Sequence, residues 1–101
     1  MNITQKIKEE NKLIVRGELS IGNEKAKVNF VGRLSGQYND YFDCFFTIET
    51  DSTVYSRNTK SLTSWLVYDK STDREYSYPM PSAISIFLKR EIDKIQTELR
   101  G

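Results

Sequence analysis

A chain of 101 residues in which 38% of side chains are hydrophobic has room for one domain and one thin core, and excludes a multidomain organisation. Its 15 basic and 14 acidic residues leave a net charge of +1, which excludes a long-range field able to gather nucleic acid or an acidic membrane surface. There is no histidine and a single cysteine, Cys44, so Ser–His and Cys–His nucleophile pairs, the commonest metal ligand and an intramolecular disulfide are all excluded.

Met1 to Lys6 contain no apolar stretch of the signal-peptide kind, and nowhere does an apolar run approach the ~20 residues that span a bilayer. The expectation is a cytoplasmic protein with no membrane among its partners. Residues 3–10 are polar, with Ile3 and Ile7 one helical turn apart and Asn2 and Gln5 at N-cap and N3 spacing. That pattern allows a short N-terminal helix, which would have to dock to persist.

Leu13, Val15 and Leu19 then share one parity and Arg16 and Glu18 the other, the mark of a first strand. Ile21 to Glu24 reads as a turn. The clearest alternation follows, with Ala26, Val28, Phe30, Gly32 and Leu34 on one face and Lys27, Asn29 and Arg33 on the other. Ser35 to Asp40 has loop composition. In the next strand Phe42, Cys44, Phe46 and Ile48 point inward, while Asp43, Phe45, Thr47 and Glu49 point outward. Val54 to Asn58, Leu62 to Asp69 and Glu75 to Tyr78 are further strands, the middle one apolar on both parities, so its buried face stays unassigned. The turns are short, which favours sequential hairpins.

Pro79-Met80-Pro81 ends the sheet, and Ser82 has the chemistry of an N-cap. Ile84, Leu88, Ile92, Ile95 and Leu99 then recur at helical spacing, widened by Ala83 and Phe87, with charged residues opposite. Arg100 suits the helix end and Gly101 the position after it. The fold expected is α+β: five to six antiparallel strands in chain order, packed by one C-terminal amphipathic helix, in a single domain over residues 1–101.

Candidate chemistry is sparse. Cys44 shares its parity with Phe42 and Phe46 and reads as a small core hydrophobe. Carboxylates at Asp40 and Asp43, Glu49 and Asp51, and Asp69, Asp73 and Glu75 fall mostly in turns, which aspartate stabilises on its own account. No spacing matches a calcium loop, and the scattered glycines do not form a phosphate cradle. No cofactor, metal or catalytic set is expected.

Six tyrosines are the richer signal, because tyrosine gives interfaces a broad rigid ring with a polar tip. Tyr38 sits in a loop with little core to join, and Tyr41 and Phe45 fall on the outward parity of their strand. Those three are the expected contact residues for a protein partner or a second copy of the chain. A hydroxyl-rich run from Thr50 to Ser64 reads either as a polar contact strip or as ordinary solvated strands. The alternative is single-stranded nucleic acid bound on the open sheet face by Arg16, Lys27, Arg33 and Arg57 with Tyr55, and Lys60 nearby, since aromatic stacking beside cations is the usual recipe. The expected function is therefore a non-enzymatic protein-binding module of accessory or inhibitor kind.

Overall fold

The computed structural model describes residues 1–58 and 62–101. Among these, one antiparallel sheet holds seven strands in chain order: β1 (Asn2–Glu9), β2 (Lys12–Ile21), β3 (Glu24–Ser35), β4 (Tyr41–Glu49), β5 (Thr53–Asn58), β6 (Ser64–Asp69) and β7 (Arg74–Pro79). The helix α1 (Ser82–Arg100) follows and packs on β2 and β3. The α+β class and the strand-then-helix order are as expected, but the sheet has seven strands rather than five to six. Thr59, Lys60 and Ser61, part of the hydroxyl run and of the basic set, lie outside the described residues.

The additional strand is β1, which replaces the short N-terminal helix. Ile3 and Ile7 are four residues apart, a spacing that satisfies one helical turn and one face of a strand alike. The free edge of β2 decides between them: Ile7 stands opposite Ile14, and the antiparallel ladder runs from Glu9 opposite Lys12 to Asn2 opposite Glu18, with a bulge between Ile3 and Gln5. An isolated helix of this length has no comparable source of stability.

The alternation in β2, β3 and β4 builds the core. Leu13 and Val15, then Ala26, Val28, Phe30 and Leu34, then Phe42, Cys44, Phe46 and Ile48 are all buried on the face that carries α1. Phe30 and Phe46 are cross-strand partners with ring centroids 6.2 Å apart. In β6 the buried parity is that of Trp65 and Val67. The centre of the helix stripe is Leu88 and Ile95, and Ile84, Phe87, Ile92 and Leu99 are partly buried on its flanks. Ala83 is exposed and lies outside the stripe.

Gly32 sets how closely α1 can approach. A Cβ at this position would stand 2.4 Å from Ile95 Cγ2 and 3.4 Å from Leu99 Cδ1, so the missing side chain is the seat of the helix. At the start of α1 the cap is Pro81 in extended backbone, not Ser82, and no side chain caps the first turn. Proline fixes its own φ and leaves Ser82 as the first helical residue. The helix is fastened instead by Ser85, whose Oγ donates to Leu62 O at 2.9 Å. Gly101 closes the far end, its N–H donating to Thr97 O.

The place of Pro79 in β7 follows from ladder geometry. Met80 N–H donates to Thr63 O, across from β6. Backbone groups alternate in direction along a strand, so those of Tyr78, Tyr76 and Arg74 also face β6, and those of Glu75, Ser77 and Pro79 face away. Proline therefore falls where no ladder donor is required.

Candidate functional site

The sheet face opposite α1 is open, and the register orders its side chains into rows. One row is apolar: Ile7, Ile14, Val31 and Phe45 stand side by side across β1 to β4. The first three are half-buried by one another, and Phe45 is 38% exposed. On one side of it Glu9, Lys12, Arg33 and Asp43 form a charged row. On the other side Arg16 lies between Gln5 and Asn29, donating to Gln5 Oε1 at 2.7 Å and to Asn29 Oδ1 at 3.2 Å. A further row places Lys27 between Glu18 and Glu49.

Of the three expected contact residues, Tyr41 and Phe45 share this open face, since Tyr41 stands opposite Ser35 and Phe45 opposite Val31. Tyr41 is 64% exposed and its ring lies over Gly36, where a Cβ would come within 2.7 Å of Tyr41 Cδ2. Gly36 also has φ +92°, a backbone conformation that costs glycine nothing. Tyr38 is 81% exposed in the loop between β3 and β4. That loop is held from the other side by Arg100, whose Nη1 donates to Asn39 O.

The basic set of the alternative reading is split between faces. Arg16, Lys27 and Arg33 are on the open face. Arg57 stands opposite Phe46 and Tyr55 opposite Ile48, which puts both on the helix side. Arg57 Nη1 donates to Ser64 Oγ, and Tyr55 packs on Trp65 with ring centroids 4.5 Å apart. Arg16 and Lys27 do line one shallow depression of about 340 Å³, but Glu18 and Glu49 line it with them.

At the first turn of α1, the helix side carries a second aromatic group. Tyr76 pairs with Val67 and Tyr78 with Trp65, and the two tyrosines meet edge to face at 6.3 Å. With Tyr55, Trp65, Ile21 and Ile84 they line a cleft of about 240 Å³. Sequence reasoning placed these tyrosines on strands but not together; the period-two pattern of Trp65 and Val67 against Tyr76 and Tyr78 carries the information once the hairpin register is known.

The groups whose titration is shifted owe it to local causes. Burial, and then the charge of Asp43, pushes the Cys44 thiol up to about 12, which favours the protonated form. Lys70, bonded to Glu49 at 2.8 Å, holds that carboxyl below its ordinary value. Tyr68 is raised because its hydroxyl donates to Asp73, and Asp69 is lowered by hydrogen bonds from Ser71. Among the described residues no group of three or more His, Cys, Asp or Glu side chains converges on a metal-sized site, and no helix is long and apolar enough to cross a membrane.

No protein-family model matches the chain, and neither does any curated protein or solved structure.

Proposed function

We propose that this protein is a non-enzymatic protein-binding module whose working surface is the open sheet face. The observation that carries the reading is the apolar row of Ile14, Val31 and Phe45 on the open face, set between the charged row of Lys12, Arg33 and Asp43 and the polar row of Arg16, Asn29 and Thr47. Burying such a row against a partner removes apolar area from water, while the charged row on one side and the polar row around Arg16 on the other hold the partner in register. Phe45 and Tyr41 are the anchors, since aromatics dominate binding energy at such surfaces. Tyr38 extends the surface at one end.

Nucleic acid is the weaker reading. A strand-binding groove needs cations that outnumber anions along the backbone track. Here Glu18 and Glu49 flank Lys27, and Tyr55, the aromatic of the proposed stacking set, lies on the opposite face against Trp65.

The test compares the wild-type protein with Phe45→Asp and with Tyr38→Ala plus Tyr41→Ala, each verified as folded by circular dichroism and urea unfolding. A partner captured by the wild-type chain should be lost by at least tenfold in affinity with Phe45→Asp and weakened with the tyrosine pair, the direction set by hot-spot behaviour. Unchanged affinity in both variants would move the working surface elsewhere. Submicromolar binding of single-stranded DNA or RNA that collapses as salt rises would replace this reading with the nucleic-acid one.

A further inference from the structure

The sheet is open, so it has two edges, and they differ. Edge β1 carries a bulge between Ile3 and Gln5, and its lysines bend to the helix: Lys6 Nζ lies 2.7 Å from Glu98 Oε2, and Lys8 reaches Glu98 O. A bulge and edge lysines are the usual devices against edge pairing. Edge β7 has neither: its pairing with β6 runs without a register shift from Arg74 to Pro79, and all six residues are exposed.

We propose that the free edge of β7 pairs antiparallel with the same edge of a second copy of this chain, about a two-fold axis at Tyr76, joining two sheets into one. The outward groups are the N–H and C=O of Glu75 and Ser77 and the lone C=O of Pro79, as the Met80 to Thr63 bond fixes by alternation. Only residues of that parity can exchange hydrogen bonds across the axis, which leaves three central registers. Glu75 opposite Glu75 sets like charges side by side, which is destabilising. Ser77 opposite Ser77 sets Glu75 against Pro79, which has no N–H to give.

The remaining register sets Glu75 opposite Ser77 of the second copy, and by symmetry Ser77 opposite its Glu75. Both pairs then exchange full sets of hydrogen bonds. The same register brings Arg74 opposite Tyr78 of the second copy, a cation on an aromatic face, and Tyr76 opposite its own counterpart. Tyr76 and Tyr78 are 48% and 55% exposed in one chain, and they are the side chains this contact would cover. A two-fold axis normal to the sheet keeps both α1 helices on one side and closes the assembly at two copies, because β1 is too protected to continue it. One strand edge is a small interface, so the dimer forms with rising concentration rather than being obligate.

Sedimentation velocity of the wild-type chain across the micromolar to millimolar range should show monomer passing to dimer and nothing larger. Ser77→Pro removes an outward N–H that β6 does not use, and should give monomer throughout with an unchanged circular dichroism spectrum. Should that variant fail to fold, cysteine cross-linking decides. In a Cys44→Ala background, Tyr76→Cys places two thiols at a non-hydrogen-bonded pair with Cα atoms ~4.5 Å apart, which mild oxidation bridges. Ser77→Cys in the same background sets them on a diagonal beyond ~7 Å, which it does not. A wild-type chain monomeric at every concentration, an open-ended polymer, or bridging through residue 77 in preference to residue 76 would each overturn the proposal.

Discussion

Gly32→Ala is the substitution that tests the seating of the helix most directly. The added methyl would lie 2.4 Å from Ile95 Cγ2, with Leu99 Cδ1 at 3.4 Å and Phe42 Cε1 at 3.5 Å. Ile95 is 3% exposed and β-branched, so its Cγ2 cannot swing away, and the helix as a whole has to lift or slide. Overpacking of this kind costs ~1–3 kcal/mol, against which alanine recovers roughly 0.5–1 kcal/mol of the backbone entropy that glycine loses in a strand. The net expectation is a destabilisation of about 1–2 kcal/mol, read as a lower urea midpoint with unchanged slope. Ile95→Ala alone should cost ~2–5 kcal/mol by leaving a cavity at the same spot. In the double variant the new methyl enters the space vacated by Cγ2, so the combined cost should fall short of the sum by about 1 kcal/mol or more. A Gly32→Ala protein as stable as wild type, or costs that simply add, would show that α1 does not rest on Gly32.

Three further outcomes follow from the packing and the titrating groups. Ile92→Ala, at a partly buried flank of the helix stripe, should fall near the lower end of ~2–5 kcal/mol, and an unfolding midpoint that does not move would mean that this flank is not packed. Cys44 in the native protein should react with a thiol reagent only as fast as the chain opens, because the site is buried and its thiol is held at about 12; labelling at the rate of a free cysteine would place it on the other face, one residue out of register. Glu49 is held below its ordinary value by Lys70, so the stability it contributes is present above that ordinary value and is lost as pH falls through the lower, folded one. Lys70→Met should return the Glu49 midpoint, followed by NMR, to the ordinary carboxylate range. The acid-unfolding curve should barely shift, since exposed pairs contribute little.

Alternation was legible where one face is apolar and the other is not. Ala26 to Leu34 and Phe42 to Ile48 yielded their buried faces directly, and the stripe from Ile84 to Leu99 yielded the helix. Two places resisted. Residues 3–10 have too few apolar side chains to declare a period, and their strand exists because β2 offers an edge. The apolar row of the open face was present as apolar runs that break alternation, Leu13-Ile14-Val15, Phe30-Val31 and Phe45-Phe46, each with one side chain on the unburied parity. Only Phe45 stood out, because seeing the row requires the register that sets Ile14, Val31 and Phe45 level. Likewise Arg57 is near Tyr55 along the chain, and the two join Arg16, Lys27 and Arg33 only as cation and aromatic, whereas the pairing of β4 with β5 sends them to the other side.

The serial order of the sheet bears on how the chain reaches this structure. Each strand pairs with its immediate successor, so the hairpins are local contacts that can form early and zip outward, the kind of topology that folds quickly. Their cover is not local. The helix that shields Phe30, Phe46 and Leu13 comes after all seven strands, and it rests on β2 and β3, near the other end of the sheet. Any state with its strands paired but its helix undocked therefore exposes the apolar face that α1 covers. The time the chain spends in such a state, as well as the stability of the finished domain, bears on aggregation during synthesis or refolding.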